Sequence, residues 1–242
     1  MLSTPIKELI TIKPFFNSRN ICAIKEAMRS IETQELTYRD YSQRSGGIWS
    51  DFWVNTTTPK IIEECKNTVK LTRVADKLEK QKPESVFNYP ELKKILCKNI
   101  LPQTFALIRT NGWATLPEKV FAQFFLQRCH TSEAMDWHQD PGEDYDTVAD
   151  FSLVVMLSHQ NNDVHGWQGG EFNIRSGLPN NTYNESDVTT LTQQFNQAIL
   201  FNNKINSHSV TAITSNVEKT ERDIIVVPIY LAKPPMPTVS NN

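Results

Sequence analysis

Features that would place the chain in several specialised classes are missing from its 242 residues. The four cysteines, at positions 22, 65, 97 and 129, form no C-x-x-C pair, which argues against a disulfide framework or a zinc ribbon. The 25 basic and 27 acidic residues nearly cancel without a basic stripe, so a nucleic-acid partner is not expected. No apolar run suits a signal peptide or a membrane span. We therefore expect a cytoplasmic protein that does not bind membranes.

The pattern of apolar residues changes near residue 100. Before it, helical spacing predicts a helix over residues 17–32, a second over 58–82 with Thr58 as its N-cap, and a shorter one over 89–99. Residues 38–55 are interpreted as a loop followed by a short strand. We expect residues 1–100 to form a mainly helical region packed on the core of a single structural domain.

Beyond residue 100, short runs rich in Val, Ile, Phe and Thr alternate with loops rich in Asn, Gly, Asp and Ser. The predicted strands cover residues 104–110, 119–129, 151–158, 170–176, 197–203, 209–214 and 222–232. This arrangement favours a sandwich, a jelly roll or a barrel over repeated βαβ units. We expect the β core to span residues 101–233 and residues 234–242 to form an extended tail.

The stretch "WHQD" places His138 two residues before Asp140, and side chains two apart in a strand point to the same side. Alone, this pair is more often a solvated ion pair than a metal site. Two later residues change that interpretation, because His208 lies between two apolar runs and Arg222 opens the last strand. Two histidines and one carboxylate with open positions are typical of non-haem Fe(II) oxygenases. An arginine can bind a carboxylate bidentately.

The ordered set "WHQD", "GGEF", "NSHSV" and "ERDIIVV" resembles the Fe(II)- and 2-oxoglutarate-dependent dioxygenases, most closely the prolyl-hydroxylase-type branch. The resemblance covers roughly residues 104–232. It implies a mostly β (α+β) fold: a double-stranded β-helix, a distorted cupin-like jelly roll, preceded by helices. Fe(II) would be held by His138, Asp140 and His208, and Arg222 would bind the distal carboxylate of 2-oxoglutarate. O2 would be the second cosubstrate, with ascorbate in a supporting role.

Two positions depart from the pattern of this family. Many members have a hydroxyl residue two places after the arginine, where this chain has Ile224, so another group must assist Arg222. Many also have a tyrosine about ten places before the first histidine, where Gln127 and Arg128 stand here, and either could donate to the cosubstrate. Phe201 is expected in the core, with walling of the cosubstrate pocket as its second possible role.

Other polar and aromatic residues near the proposed ligands could contact the substrate or only shield the rim of the site. They are Trp137, Gln139, Tyr145 and Trp167. Trp137 and Gln139 alternate with His138 and Asp140, so they are expected to face the other way. Arg175 could face either the cleft or solvent.

The leading hypothesis is a dioxygenase that hydroxylates or otherwise oxidises a C–H bond of a protein side chain or a small molecule, with conversion of 2-oxoglutarate to succinate. A second hypothesis is a cupin-like module that binds a metal or ligand without oxidative turnover. A third, weaker one is a metal-dependent lyase or hydrolase, which would act without O2. The sequence does not indicate the substrate, the oligomeric state or the role of the helices.

Overall fold

A computed structural model of the chain describes residues 6–32, 44–65, 86–130, 134–140, 147–158, 168–214 and 221–232. The helices in these ranges are α1 (Ser18–Glu32), α2 (Pro90–Ile95) and α3 (Leu101–Thr110), and a π-helical turn at Leu96–Ile100 joins the last two. Short 3-10 turns occur at Val86–Asn88 and Glu185–Asp187. No helix in the described ranges is both long and apolar enough to cross a membrane.

Thirteen strands account for most of the regular structure in the described residues. They are β1 (Leu9–Ile12), β2 (Arg44–Asn55), β3 (Lys60–Cys65), β4 (Lys119–His130), β5 (Met135–His138), β6 (Phe151–Met156), β7 (Gln168–Gly169), β8 (Phe172–Ser176), β9 (Thr189–Leu191), β10 (Ala198–Asn202), β11 (Asn206–Val210), β12 (Ile213–Thr214) and β13 (Glu221–Tyr230). A large sheet has the order β1-β10-β6-β13-β4-β2-β3, and a small sheet has the order β5-β11-β8-β9. β7 and β12 form a separate pair, and all the strand pairs are antiparallel.

The large sheet is buried on both faces, which explains why all six residues of β6 are buried. Leu153 and Val155 join a core formed with the helices, where Phe105 and Leu96 lie. Val154 and its same-face neighbours join a second core between the two sheets. Because successive side chains of a strand alternate between faces, one continuous apolar run serves both cores. The mostly β fold of two antiparallel sheets is therefore confirmed.

Several predicted elements are confirmed. Helix α1 begins where the caps indicated, since the Asn20 N–H donates to Asn17 Oδ1 at 2.9 Å. The predicted strand over residues 151–158 and the last predicted strand appear as β6 and β13. The short helix predicted at residues 89–99 begins as α2 and continues through the π-helical turn.

The strand predicted over residues 104–110 is wrong, because this segment is helix α3. Its buried residues Leu101, Phe105 and Ile108 recur at steps of four and three and so form a helical stripe against the core. The short "TFALIRT" run contains too few residues to distinguish that spacing from a buried strand.

The helix predicted over residues 58–82 is wrong at its start, because Lys60–Cys65 is strand β3, paired with β2. Asn55 Oδ1 accepts hydrogen bonds from the backbone N–H groups of Thr57 and Thr58, at 2.9 and 2.8 Å, and this turns the chain into a hairpin. The remainder of that predicted helix lies outside the described residues.

The mainly helical character expected for residues 1–100 is not confirmed. Strands β1, β2 and β3 come from this region, and all three belong to the large sheet. β1 was not anticipated from the sequence, because a four-residue edge strand gives too short a pattern to recognise. The tail at residues 234–242 lies outside the described residues.

Candidate metal centre

Three side chains that can bind a metal meet where β5 and β11 are paired. His208 lies directly opposite His138 in this pair, and Asp140 follows just beyond the end of β5. One donor atom from each of the three side chains lies within 4.8 Å of the other two. The two histidine Nε2 atoms each lie 3.7 Å from a different carboxylate oxygen of Asp140. This distance is too long for a hydrogen bond, so the three groups converge without bonding one another.

The chemistry of His138 fits metal binding. Its Nδ1 lies 2.6 Å from the carbonyl oxygen of Asp136, so Nδ1 carries the proton and donates it to that oxygen. Nε2 is then left with a lone pair that points towards Asp140. It is buried and has no hydrogen-bond partner. A buried polar atom in this condition destabilises the fold unless a ligand satisfies it, and a divalent ion would do so.

His208 is suited to remain a neutral ligand. Its pKa is held well below the usual value of imidazole, first by burial and then by electrostatic interactions with His138 and Arg222. Its ring stacks on Phe172, with centroids 5.1 Å apart, and contacts the edge of Phe201 at 5.0 Å. A neutral imidazole held between two aromatic rings is available to a metal without first losing a proton.

The backbone of Asp140 is held by the side chain of Asn203, which lies in the turn between β10 and β11. Asn203 Oδ1 accepts the Asp140 N–H at 2.9 Å, and Asn203 Nδ2 donates to the Asp140 carbonyl at 2.5 Å. The same Nδ2 donates to the carbonyl of Ala149 at 3.1 Å. The next strand, β11, carries His208. The side chain of Asn203 therefore connects the segment after β5 to the turn that leads directly into the strand of the second histidine.

Gln139 lies just after β5 and contacts the same turn through its side chain. It is buried, and its Nε2 donates to the carbonyl of Asn203 at 2.6 Å. The structure thus shows a structural contact for Gln139, and the substrate role considered for it stays a prediction. The expectation that it faces away from the metal ligands agrees with this contact.

Arg222 and two of the residues predicted for the cosubstrate lie on the inner side of the large sheet. Arg222 is buried near the start of β13, and Ile224, two residues later, belongs to the core between the sheets. Gln127 of β4 pairs with Ile224 and is half-buried. Phe201 is fully buried in the same core, as predicted, and also contacts His208. Arg128 pairs with Asp223 through the backbone, and its side chain lies outside the described part.

Trp137 lies on the opposite side of the small sheet from the metal ligands. Its Nε1 donates to the hydroxyl of Tyr183 at 3.1 Å, and both rings contact the guanidinium of Arg175. Arg175 is 1% exposed and donates to the hydroxyl of Ser207 and to the carbonyls of Leu178, Pro179 and Asn181. Arg175 therefore fastens the loop after β8 and faces neither the cleft nor solvent. The ring of Trp137 thus packs against Tyr183 and Arg175, and the substrate role considered for it stays a prediction.

Two further predicted substrate residues, Tyr145 and Trp167, lie outside the described residues. Sequence reasoning missed Asn203 and also Gln193, whose Oε1 accepts a hydrogen bond from Arg222 Nε at 2.8 Å. Asn203 stood at the end of the strand predicted over residues 197–203, and nothing in the sequence linked it to Asp140. No local pattern links Gln193 to Arg222, since 29 positions separate them.

No protein-family model matches the sequence, and no curated protein matches it closely enough to be a relative. Solved structures do match. The Fe(II)/α-ketoglutarate-dependent dioxygenase TqaL is similar over 93% of this chain and 83% of its own, with a TM-score of 0.60 and 12% identity. A prolyl-4-hydroxylase from Pseudomonas putida is similar over 93% and 94% of the two chains, with a TM-score of 0.51 and 11% identity.

A third similar structure is HygX from Streptomyces hygroscopicus, which was solved with nickel and 2-oxoglutarate bound. It covers 92% of this chain and 82% of its own, with a TM-score of 0.51 and 9% identity. The fold is that of the Fe(II)/2-oxoglutarate oxygenases. Within this oxygenase fold, the chain has a His-Asp-His group of potential metal ligands.

Proposed function

We propose that the protein is a non-haem Fe(II)- and 2-oxoglutarate-dependent dioxygenase. The observation that carries this proposal is the convergence of His138, Asp140 and His208 on one point of an oxygenase fold. The reaction would convert 2-oxoglutarate, O2 and a substrate C–H group into succinate, CO2 and a C–OH group. One atom of O2 enters succinate and the other enters the product. Other oxidations of the same C–H bond belong to the same proposal.

Each residue of the site has a role that follows from its chemistry. His138 and His208 would supply neutral nitrogen donors, and Asp140 would supply one negative charge, so three protein ligands would leave positions open for the cosubstrates. Bound Fe(II) would supply the Lewis-acid and redox chemistry that O2 activation requires. Arg222 would pair with the distal carboxylate of 2-oxoglutarate. The apolar side chains between the sheets, Phe201 and Ile224 among them, would keep water away from these charged groups.

For the substrate, we propose a protein side chain or a small molecule. A prolyl-4-hydroxylase is among the proteins of similar fold, which supports hydroxylation of a protein side chain. The near balance of acidic and basic residues argues against a nucleic-acid substrate.

Anaerobic titration of the apoprotein with Fe(II) and 2-oxoglutarate tests the first step of the proposal. We expect the weak visible charge-transfer band of an Fe(II)–keto acid chelate in the wild-type protein. The band should be lost in His138→Ala, because two protein ligands hold the ion much less firmly than three. Succinate release on admission of O2 then measures turnover.

Ile62→Ala is a suitable control, because Ile62 is exposed on β3, the edge strand of the large sheet, and the variant should give the wild-type band. Absence of the band in wild-type protein would contradict the proposal. A band without succinate release on admission of O2 would instead support the cupin-like binding module. Activity that persists without O2 would support the lyase or hydrolase hypothesis.

A further inference from the structure

Arg222 is held by a residue that belongs to neither the metal ligands nor the family pattern. Gln193 lies between β9 and β10, is only 2% exposed, and accepts the Nε–H of Arg222 at 2.8 Å through Oε1. Arg222 itself is 3% exposed. A hydrogen bond between two side chains this deeply buried is shielded from water, so it fixes their relative orientation more firmly than a surface contact would.

The position that carries a hydroxyl in many proteins of this pattern cannot hold Arg222 in this chain. Ile224 occupies it, with its side chain packed in the core between the two sheets. An isoleucine neither donates nor accepts hydrogen bonds, so polar support for the arginine has to come from another element. Gln193 comes from the segment that leads into β10 and provides that support.

The contact also restricts how an anion can approach Arg222. A guanidinium is planar and binds a carboxylate through two parallel N–H groups. Because Nε is committed to Gln193, a carboxylate that binds in this way must use the edge formed by the two Nη atoms. The hydrogen bond therefore sets the direction from which the carboxylate arrives.

The neutrality of Gln193 matters as much as its geometry. The distal carboxylate of 2-oxoglutarate would bring the negative charge that pairs with Arg222. A carboxylate in place of the Gln193 amide would neutralise Arg222 before the cosubstrate arrived.

We infer that Gln193 is the positioning residue that orients Arg222 for the distal carboxylate and so selects a keto acid that carries one. This inference rests on the proposed function, because it names how the cosubstrate of that reaction is recognised. Gln193 acts through Arg222 and takes no part in binding the metal.

The test compares two keto acids at the Fe(II) site under anaerobic conditions: 2-oxoglutarate, and 2-oxobutanoate, which lacks the distal carboxylate. In Gln193→Glu, we expect affinity for 2-oxoglutarate to fall about tenfold or more. The new carboxylate would neutralise Arg222 and so weaken its hydrogen-bonded pairing with the distal carboxylate of the cosubstrate. Affinity for Fe(II) and for 2-oxobutanoate should remain at the wild-type level. Gln193→Leu should weaken 2-oxoglutarate binding in the same selective way, because it removes the acceptor without adding a charge.

Gln194→Glu is the matched control, since it places the same charge on the exposed neighbour that accepts from Lys13 at 2.6 Å. It should bind both keto acids as the wild type does. Wild-type binding of 2-oxoglutarate by both Gln193 variants would overturn the inference. Equal loss of both keto acids would also overturn it, because the residue would then support the whole metal site. If neither keto acid chelates Fe(II) in wild-type protein, the proposed function itself fails.

Discussion

At the scale of single residues, the candidate site depends on amides as much as on its ligands. Asn203 holds both backbone groups of Asp140, and Gln193 holds Arg222. Both amides are buried, and each links a functional residue to a different stretch of chain. Residues that orient metal ligands in this way commonly affect metal affinity strongly.

Replacement of Asn203 with Ala should weaken metal binding by about tenfold to a hundredfold. The Asp140 N–H and carbonyl would each lose a buried partner, so the carboxylate would no longer be held opposite the two histidines. Equilibrium titration with Mn(II), with the folded state verified by circular dichroism, measures the change. Asn202→Ala is the control, because that side chain bonds Glu8 and the Lys204 N–H, and it should keep wild-type affinity. Equal affinities for the two variants would contradict the role assigned to Asn203.

At the scale of elements, β10 and β11 join the two sheets around the site. β10 lies in the large sheet between β1 and β6, and β11 lies in the small sheet between β5 and β8. All five residues of β11 are buried, and so are the first four of β10. Phe201, near the end of β10, packs on His208 of β11 across the interior. The position of the second histidine therefore depends on the packing of both strands.

Phe201→Ala should lower the free energy of unfolding by about 3–5 kcal/mol, because it removes a fully buried ring and leaves a cavity beside His208. Urea denaturation of the metal-free protein measures this loss. Ile205→Ala, at a position that is 40% exposed in the turn that follows, should change stability by less than about 0.5 kcal/mol. A loss below about 1 kcal/mol for Phe201→Ala would show that the ring does not contribute to the core as its burial indicates.

At the scale of the whole molecule, two cores lie on either side of the large sheet, and the candidate site lies in one of them. The helices cover the outer face, so the inner face is left to the small sheet and the candidate metal ligands. A titratable group buried in such an interior affects the stability of the entire fold. His208 is the clearest case, because its pKa is depressed chiefly by burial.

The metal-free protein should lose stability as pH falls below about 6.5, the usual pKa of imidazole. In the unfolded chain His208 takes up a proton near that pH, whereas in the folded state it does so only at much lower pH. The unfolded state thus binds more protons in this window, and His208 contributes a slope of up to about 1.4 kcal/mol per pH unit. Above that window the contribution is constant.

Urea denaturation in the presence of a chelator, at several pH values between about 5 and 8, measures this slope. His208→Gln, whose side chain does not titrate, should show a smaller slope over the same window. Slopes that coincide for the two proteins would contradict a depressed pKa for His208.

The sequence by itself determined much of the β half of the fold and the residues of the proposed metal group. Apolar runs in "FSLVVMLS" and "RDIIVVPIYLA" predicted β6 and β13, and the H-x-D spacing with a later histidine predicted the candidate ligands. These features are visible because strand periodicity and ligand spacing are local properties of the chain. The resemblance carried by the same residues predicted the fold shared with the oxygenases.

Only the tertiary structure decided those elements and contacts that depend on residues far away in the sequence. Lys60–Cys65 is a strand because β2 supplies hydrogen-bond partners, and residues 104–110 are helical because their apolar stripe meets the sheet. Gln193 and Asn203 became visible as supports of Arg222 and Asp140 only after the sheets were assembled, since each contact joins residues far apart in sequence. The local pattern of residues determines which side chains lie on each face of a strand. Only the packing of distant segments determines which buried amide forms hydrogen bonds with them.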